Sequence, residues 1–247
     1  MNVNIVVIVQ ARMNSSRLPG KVMKTVLGKP LLGYLTDRLL RVKKNSRLVI
    51  ATTNEKKDQA ILDFCRKRKI SYYCGDENDV LRRYYDAANY FLADVIVRIT
   101  ADCPLMDSFI VDRLIEEYLD NYPYFQYVSN VRNRTYPRGM DAEVFSIEIL
   151  REAFENAKEK FEREHVTPYM YLDKERKQIK DVFASKDLSH YRWTVDTYED
   201  FVFVKEVIES LYPFKRRFTM SDILELLERK PELANINKHI RQKNVEI

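Results

Sequence analysis

The segment Gln10–Lys21 (QARMNSSRLPGK) packs two arginines, a lysine, two serines, an asparagine and a glycine into one connection. Guanidinium groups grip phosphate in a forked geometry, and an ammonium acts as a point charge. Arg12, Arg17 and Lys21, helped by the backbone amides between them, are therefore candidates to surround a polyphosphate. Two familiar phosphate loops are excluded. A Walker loop needs Gly five residues before its Gly-Lys pair and Ser or Thr after it, and Ser15 and Val22 occupy those places. A dinucleotide loop needs GxGxxG, which the chain lacks.

Carboxylates supply the complementary chemistry. In Ile99–Asp107 (ITADCPLMD), Asp102 follows an apolar strand run. A carboxylate facing a polyphosphate repels it unless a cation lies between them, and magnesium is the natural bridge. Asp102 reads either as such a ligand or as a turn or helix cap ahead of Pro104. Asp107, beside Ser108, reads as a helix N-cap. In Arg192–Asp200 (RWTVDTYED), Asp196 is either a second ligand for the same metal or a cap, with Thr197 able to cap the helix that follows. Glu199 and Asp200 fall in that helix's first turn, where the helix dipole favours negative charge. Tyr136–Glu143 (YPRGMDAE) and Glu164–Tyr169 (EHVTPY) add Arg138, Asp141, Glu143 and His165 at irregular or strand-end positions. An arginine there suits a substrate carboxylate, while a lone histidine equally suits packing or capping. Gly75–Arg82 (GDENDVLR) is a place to read a nucleotide base.

These residues need a frame. Val3–Val9 (VNIVVIV) has the length and β-branched content of a buried strand. Strands are also predicted over Arg47–Thr52, Ile70–Cys74 and Asp94–Thr100, alternating with helices over Pro30–Val42, Lys57–Lys69, Asp79–Leu92 and Phe109–Tyr118. This order argues a mostly parallel sheet with helices on both faces. In such sheets ligands bind outside the carboxyl ends of the strands, where the Gln10–Lys21 loop and Asp102 both lie. After Tyr122 the rhythm breaks. Strands are expected over Tyr124–Ser129, Ala142–Ser146 and Arg192–Val195, and helices near Ile147–Ala157, Arg163–Leu172, Glu199–Leu211 and Thr219–Glu228. The 247 residues suit one domain, with residues 122–185 as a small inserted lobe for an acceptor or a partner subunit.

Bulk properties exclude other classes. Hydrophobic residues make up 45% and charged residues 32%, as in a globular protein. The apolar runs are too short to span a bilayer or serve as a signal peptide, so a cytoplasmic protein with no membrane partner is expected. Cys65, Cys74 and Cys103 form no CxxC pair and fit reduced thiols. The net charge of +5 comes from bases interleaved with acids, and no groove-reading motif is present, so no nucleic-acid partner is expected. The tyrosines of Tyr118–Tyr136 suit either a homodimer surface or core.

Taken in order, these motifs resemble a family. QARMNSSRLPGK followed by LGKPLL resembles the opening of the sugar-acid cytidylyltransferases, which make CMP-activated ketodeoxyoctonate and sialic-type acids. GDENDVLRRYYDAA, VRITADCPLMD, YPRGMDAEVFS, EREHVTPY and RWTVDTYEDF resemble the SpsF-type branch, named for spore-coat polysaccharide biosynthesis. The resemblance implies a Rossmann-like nucleotide-diphospho-sugar transferase fold and a magnesium-dependent reaction of CTP with a small acidic acceptor. It implies that Ala11, Arg12, Arg17 and Lys21 hold the nucleotide, with Arg12, Lys21 and Asp102 at the chemistry. Asp102 and Asp196 would hold Mg2+, Thr100 and Ala101 would lie near the base, and Asp79 and Arg82 would contact base or ribose. Tyr136, Arg138, Asp141, Glu143 and His165 would face the acceptor. One departure is that Thr100-Ala101 stands where the ketodeoxyoctonate enzymes carry Gln-Gly, which bears on the choice of cytosine. The rival readings are a transferase using another nucleoside triphosphate or a non-sugar acceptor, a silent nucleotide-binding module, and a polyanion-binding protein.

Overall fold

A computed structural model describes residues 3–44, 46–172 and 178–242. The chain begins with β1 (Ile5–Gln10), and a two-residue hairpin of β2 (Thr25–Val26) and β3 (Lys29–Pro30) leads into α1 (Leu31–Leu39). Three βα units follow: β4 (Ser46–Thr53) with α2 (Gln59–Arg68), β5 (Ser71–Gly75) with α3 (Val80–Tyr90), and β6 (Val95–Thr100) with α4 (Ser108–Asn121). Then come β7 (Tyr127–Ser129), β8 (Glu143–Ser146), α5 (Ile147–Asn156), α6 (Lys160–His165), α7 (Pro168–Leu172) and β9 (Ile179–Asp181). The chain closes with α8 (Tyr198–Leu211) and α9 (Met220–Arg229).

Seven strands form one sheet in the order β5-β4-β1-β6-β8-β7-β9. β1 pairs in parallel with β4 on one side and β6 on the other. β8 runs antiparallel to both β6 and β7, and β7 pairs in parallel with β9. The expected mostly parallel α/β sheet is thus present, and β7, β8 and β9 of the 122–185 segment extend it; residues 173–177 lie outside the described residues. The chain moves outward from β1 through β4 to β5, then jumps to the opposite side of β1 to form β6. The switch point therefore falls between β1 and β6, whose last residues, Gln10 and Thr100, are register partners. A crevice opens there because the two following loops diverge.

Period-two alternation divides the core. Val7 and Val9 of β1 and Val95, Val97 and Ile99 of β6 pack on one face with α1, α2, α4, α8 and α9. Val6 and Ile8, with Ile96, pack on the other with α3, α5 and α7. Three boundaries depart from expectation. The expected Arg192–Val195 strand joins no ladder of the described strands: Arg192 forms an isolated bridge with Arg138, and Val195 N–H donates to Asp102 O at 2.8 Å beyond the end of β6. The expected 163–172 helix is broken at Val166, whose φ of 73° closes a turn in which Thr167 N–H donates to His165 O at 2.9 Å. The β2–β3 hairpin and edge strand β9 were too short to carry a periodic signal. Of the Tyr118–Tyr136 tyrosines, Tyr118, Tyr127 and Tyr136 are core, while Tyr122 and Tyr124 are exposed. No helix among the described residues is long and apolar enough to cross a membrane.

Candidate active site

The Gln10–Lys21 loop is shaped by its own hydrogen bonds. Asp58, buried behind it, accepts from Met13 N at 2.7 Å, and Gly20 N–H donates to Met13 O at 2.8 Å. Gly20 takes φ 68°, a left-handed turn that glycine accepts without strain. The turn of Lys21–Met23 that follows carries the lysine back over the crevice. The amides of Arg12, Asn14, Ser16 and Arg17 form no hydrogen bond with the described residues, so they remain donors for an anion. Arg12 is exposed and makes no ion pair with the described residues.

Lys21 Nζ sits between two carboxylates, 2.9 Å from Asp102 Oδ2 and 2.8 Å from Asp196 Oδ1. Arg17 pairs with Asp196 Oδ2 at 2.9 Å. Burial opposes ionisation of Asp102, but the Lys21 charge and hydrogen bonds from Lys21 and Thr100 outweigh it and lower its pKa. Burial likewise opposes Lys21's charge, and Asp102 and Asp196 overturn it, so Lys21 is held protonated. Thr100 Oγ1 donates to Asp102 Oδ1 at 2.6 Å and fixes its rotamer. Cys103, the next residue, is a buried thiol whose pKa burial raises well above the ordinary value, so it is inert.

Asp196 is held from behind. Arg192 donates to Asp196 Oδ2 at 2.8 Å and to Asp200 at 2.9 and 3.0 Å. Asp200 is fully buried and closes a capping box with Thr197 at the start of α8, the first-turn role its position indicated. Asn237, near the carboxyl terminus, bonds Arg192 O and Asp200 Oδ1 at 2.9 and 2.8 Å. Gly139 packs against the same segment: a Cβ there would meet Thr194 N and Trp193 C at 2.6 Å, and its φ is 101°. Tyr-Pro-Arg-Gly thus needs its glycine for close backbone approach.

These groups wall a cleft of about 280 Å³ that brings together Ala11, Arg12, Arg17, Lys21, Thr100, Ala101, Asp102, His165 and Asp196. A larger cavity of about 870 Å³ adjoins it on the side of α6 and α7, and Ser16, Arg17, Thr100 and His165 line both. Asp141 and Glu143 are in the wall of this second cavity. Both are already engaged: Arg134 pairs with Asp141, and Glu143 accepts from Tyr127 and Thr167 at 2.6 Å each and pairs with Arg98. His165, at the junction, has its pKa lowered from 6.5 by burial and is neutral at pH 7.

Four expected residues sit elsewhere. Tyr136 is 2% exposed and its hydroxyl accepts from Arg113 of α4 at 2.9 Å, on the opposite face of the sheet. Arg138 faces a separate cleft beside Trp193 and Phe203. Asp79 caps α3 by accepting from Arg82 N at 2.9 Å, and Arg163 of α6 holds its other oxygen at 2.6 Å, so it ties two helices together. Arg82 points outward to Asp86 at 3.5 Å. One step along α3 turns the side chain about 100°, and Arg83 lines the wall near Gln10 and Arg12 instead. Arg98 is the missed residue. It lines the second cavity, and its buried Nε has no partner among the described residues. The signal was a charge inside the apolar run DVIVRIT.

The sequence matches the cytidylyltransferase family over residues 6–239. A cytidylyltransferase from Leptospira borgpetersenii superimposes with a TM-score of 0.89 at 32% identity, covering 99% of this chain and 100% of that one. Spore coat polysaccharide biosynthesis protein SpsF of Bacillus subtilis is 29% identical over 94% of this chain and 97% of its own length. A 3-deoxy-manno-octulosonate cytidylyltransferase of Pelobacter propionicus is 31% identical over 48% of this chain and 46% of its own length.

Proposed function

The chain belongs to the cytidylyltransferase family and is a CTP-using nucleotidyltransferase, and on that premise we propose that it transfers CMP to a small acidic sugar, or a related acid, for surface-polysaccharide synthesis. In this reaction an acceptor oxygen attacks the α-phosphorus of CTP, a new P–O bond forms, and the bond to the β-phosphate breaks to release pyrophosphate. The observation that carries the assignment is the convergence of Arg12, Arg17 and Lys21 with Asp102 and Asp196 at the β1–β6 switch point.

The residues present fit magnesium. Two carboxylates approach one cationic point, now marked by Lys21 Nζ, and no group of three or more metal-ligating side chains occurs among the described residues. One or two carboxylates completed by phosphate oxygens is the usual magnesium donor set. Asp102 and Asp196 would hold the ion, which when bound neutralises charge on the phosphate oxygens. Arg12 and the free loop amides would bind the β- and γ-phosphates. The α-phosphate would sit at the junction lined by Ser16, Arg17, Thr100 and His165, with the acceptor in the larger cavity. There Arg98 offers an unpartnered donor to the acceptor's carboxylate, and the neutral His165 accepts a hydrogen bond from its hydroxyl. Catalysis on this reading is positioning and charge stabilisation. We place this reaction in the cytoplasm, and a homodimer would use the exposed Tyr122 and Tyr124.

The test is pyrophosphate release with each of the four nucleoside triphosphates against a panel of 2-keto-3-deoxy sugar acids and neutral sugars. We expect release with CTP and an acid. Release with UTP or GTP but not CTP would overturn the cytidylyl assignment, and release with neutral sugars alone would overturn the acceptor class.

A further inference from the structure

A cavity of about 260 Å³ lies on the flank opposite the acceptor side, between the end of α1, the start of α4 and the approach to α9. It shares no lining residue with the cleft or the acceptor cavity. Four cations line it: Arg38, Arg41, Lys43 and Arg217. Arg38 is only 4% exposed. Its Nη1 donates to Phe218 O at 2.9 Å, its guanidinium lies 4.0 Å from the Phe218 ring centroid, and its Nη2 has no partner among the described residues.

The neighbouring carboxylates spend their oxygens on backbone. Asp107 accepts from Phe109 N at 3.0 Å and from Met220 N at 2.7 Å, capping α4 and tying down the start of α9. Asp112 accepts from Lys43 N at 2.8 Å. Arg41 donates to Arg216 O at 3.3 Å, and Lys43 Nζ rests 5.6 Å from the Phe109 ring centroid. None of the four cationic side chains forms an ion pair with a carboxylate of the described residues. Four positive charges against two negative ones leave the cavity two charges positive.

We propose that this cavity is a second anion site that binds a dianionic phosphate, free or carried as a phosphate monoester. A buried guanidinium with an idle donor is costly unless an acceptor reaches it. Burial already lowers the Arg38 pKa, which marks the same deficit. A phosphate carries about two negative charges near neutral pH and three acceptor oxygens, which matches the excess. A monocarboxylate leaves one charge uncompensated. Arg41, Lys43 and Arg217 sit nearer solvent than Arg38 and supply the rim of the site.

The experiment is calorimetric titration of the full chain with inorganic phosphate, with acetate as the control. The wild type, the Arg12→Ala variant and the double variant Arg41→Ser/Arg217→Ser are compared. We expect saturable phosphate binding that survives Arg12→Ala and weakens at least tenfold in the double variant, with acetate bound at least tenfold more weakly than phosphate. The double variant should keep wild-type CTP turnover, which shows that it is folded and that its cleft is intact. Phosphate binding in the double variant within twofold of wild type would overturn the proposal. Acetate binding as tight as phosphate would overturn the dianion assignment.

Discussion

Arg12 and Lys21 differ in what their removal would reveal. Arg12 is exposed and holds no carboxylate among the described residues, so it contributes little to the resting fold. Arg12→Ala should weaken CTP binding by roughly tenfold to a hundredfold, the worth of a charge-assisted phosphate contact, with an unchanged urea midpoint. Calorimetry and denaturation on the same preparation check both halves. Lys21 is the ion-pair partner of Asp102 and Asp196, so its loss would mix binding with stability. The cations of the loop were legible because residue type alone states their chemistry. Asp102 and Asp196 were legible only as alternatives, since cap and ligand look alike in sequence. In the fold Lys21 draws both to one point, which supports the proposed ligand role. Asp107 and Asp200 resolve the other way, onto backbone amides and Arg192. Arg82 and Arg83 show the limit of such reading: two arginines adjacent in sequence point to different surroundings once helical.

At the scale of elements, the 160–172 segment positions the junction residue. A capping box from Glu159 and Glu162 starts α6, Arg163 fastens it to Asp79 on α3, and the turn at Val166 ends it. A β-branched residue at positive φ is strained, and such strain persists where surrounding contacts over-determine it. Val166 is fully buried, which supplies those contacts. Val166→Gly should relieve about 1 kcal/mol of backbone strain but lose the packing of the side chain and loosen His165. Because the lost burial of a Val side chain, about 1.5–3 kcal/mol, exceeds the relieved strain, the expected result is a lower kcat/KM with a Tm lowered by a few degrees, read by steady-state kinetics and thermal melting. His165 also sets a pH signature. Burial lowers its folded-state pKa below the ordinary 6.5, so the unfolded chain takes up its proton first as pH falls. Its contribution to stability is complete above about pH 6.5 and is lost as pH drops through the lowered value. Urea midpoints measured from pH 8 to pH 5 should fall less steeply in His165→Gln than in wild type. Periodicity foretold α3, α5, α8 and α9 because each has one apolar face. It could not foretell the break at Val166, which answers to tertiary packing, nor the course of 192–196, whose partner is the backbone beyond β6.

The whole molecule assigns its work by face. One side of the sheet carries α3, α5, α6 and α7 and the cavity proposed for the acceptor, and the other carries the α1, α4 and α9 flank with its uncompensated cations. The β-α rhythm of the first half made the parallel sheet and its switch point readable. Tyr136 and Arg138 were misplaced because a sequence does not say which face of a sheet a loop will join. Asp102 stands where the two halves of the chain meet, since its backbone carbonyl accepts from Val195 and its carboxylate faces Lys21. The most direct measurement is CTP-dependent pyrophosphate release by Asp102→Asn at saturating magnesium and acceptor, with its urea midpoint determined alongside. A two-carboxylate metal–triphosphate cleft predicts that kcat falls by at least about a hundredfold, roughly 2.7 kcal/mol of transition-state stabilisation, while the protein stays folded. A folded Asp102→Asn protein that releases pyrophosphate within a few-fold of the wild-type rate would contradict it.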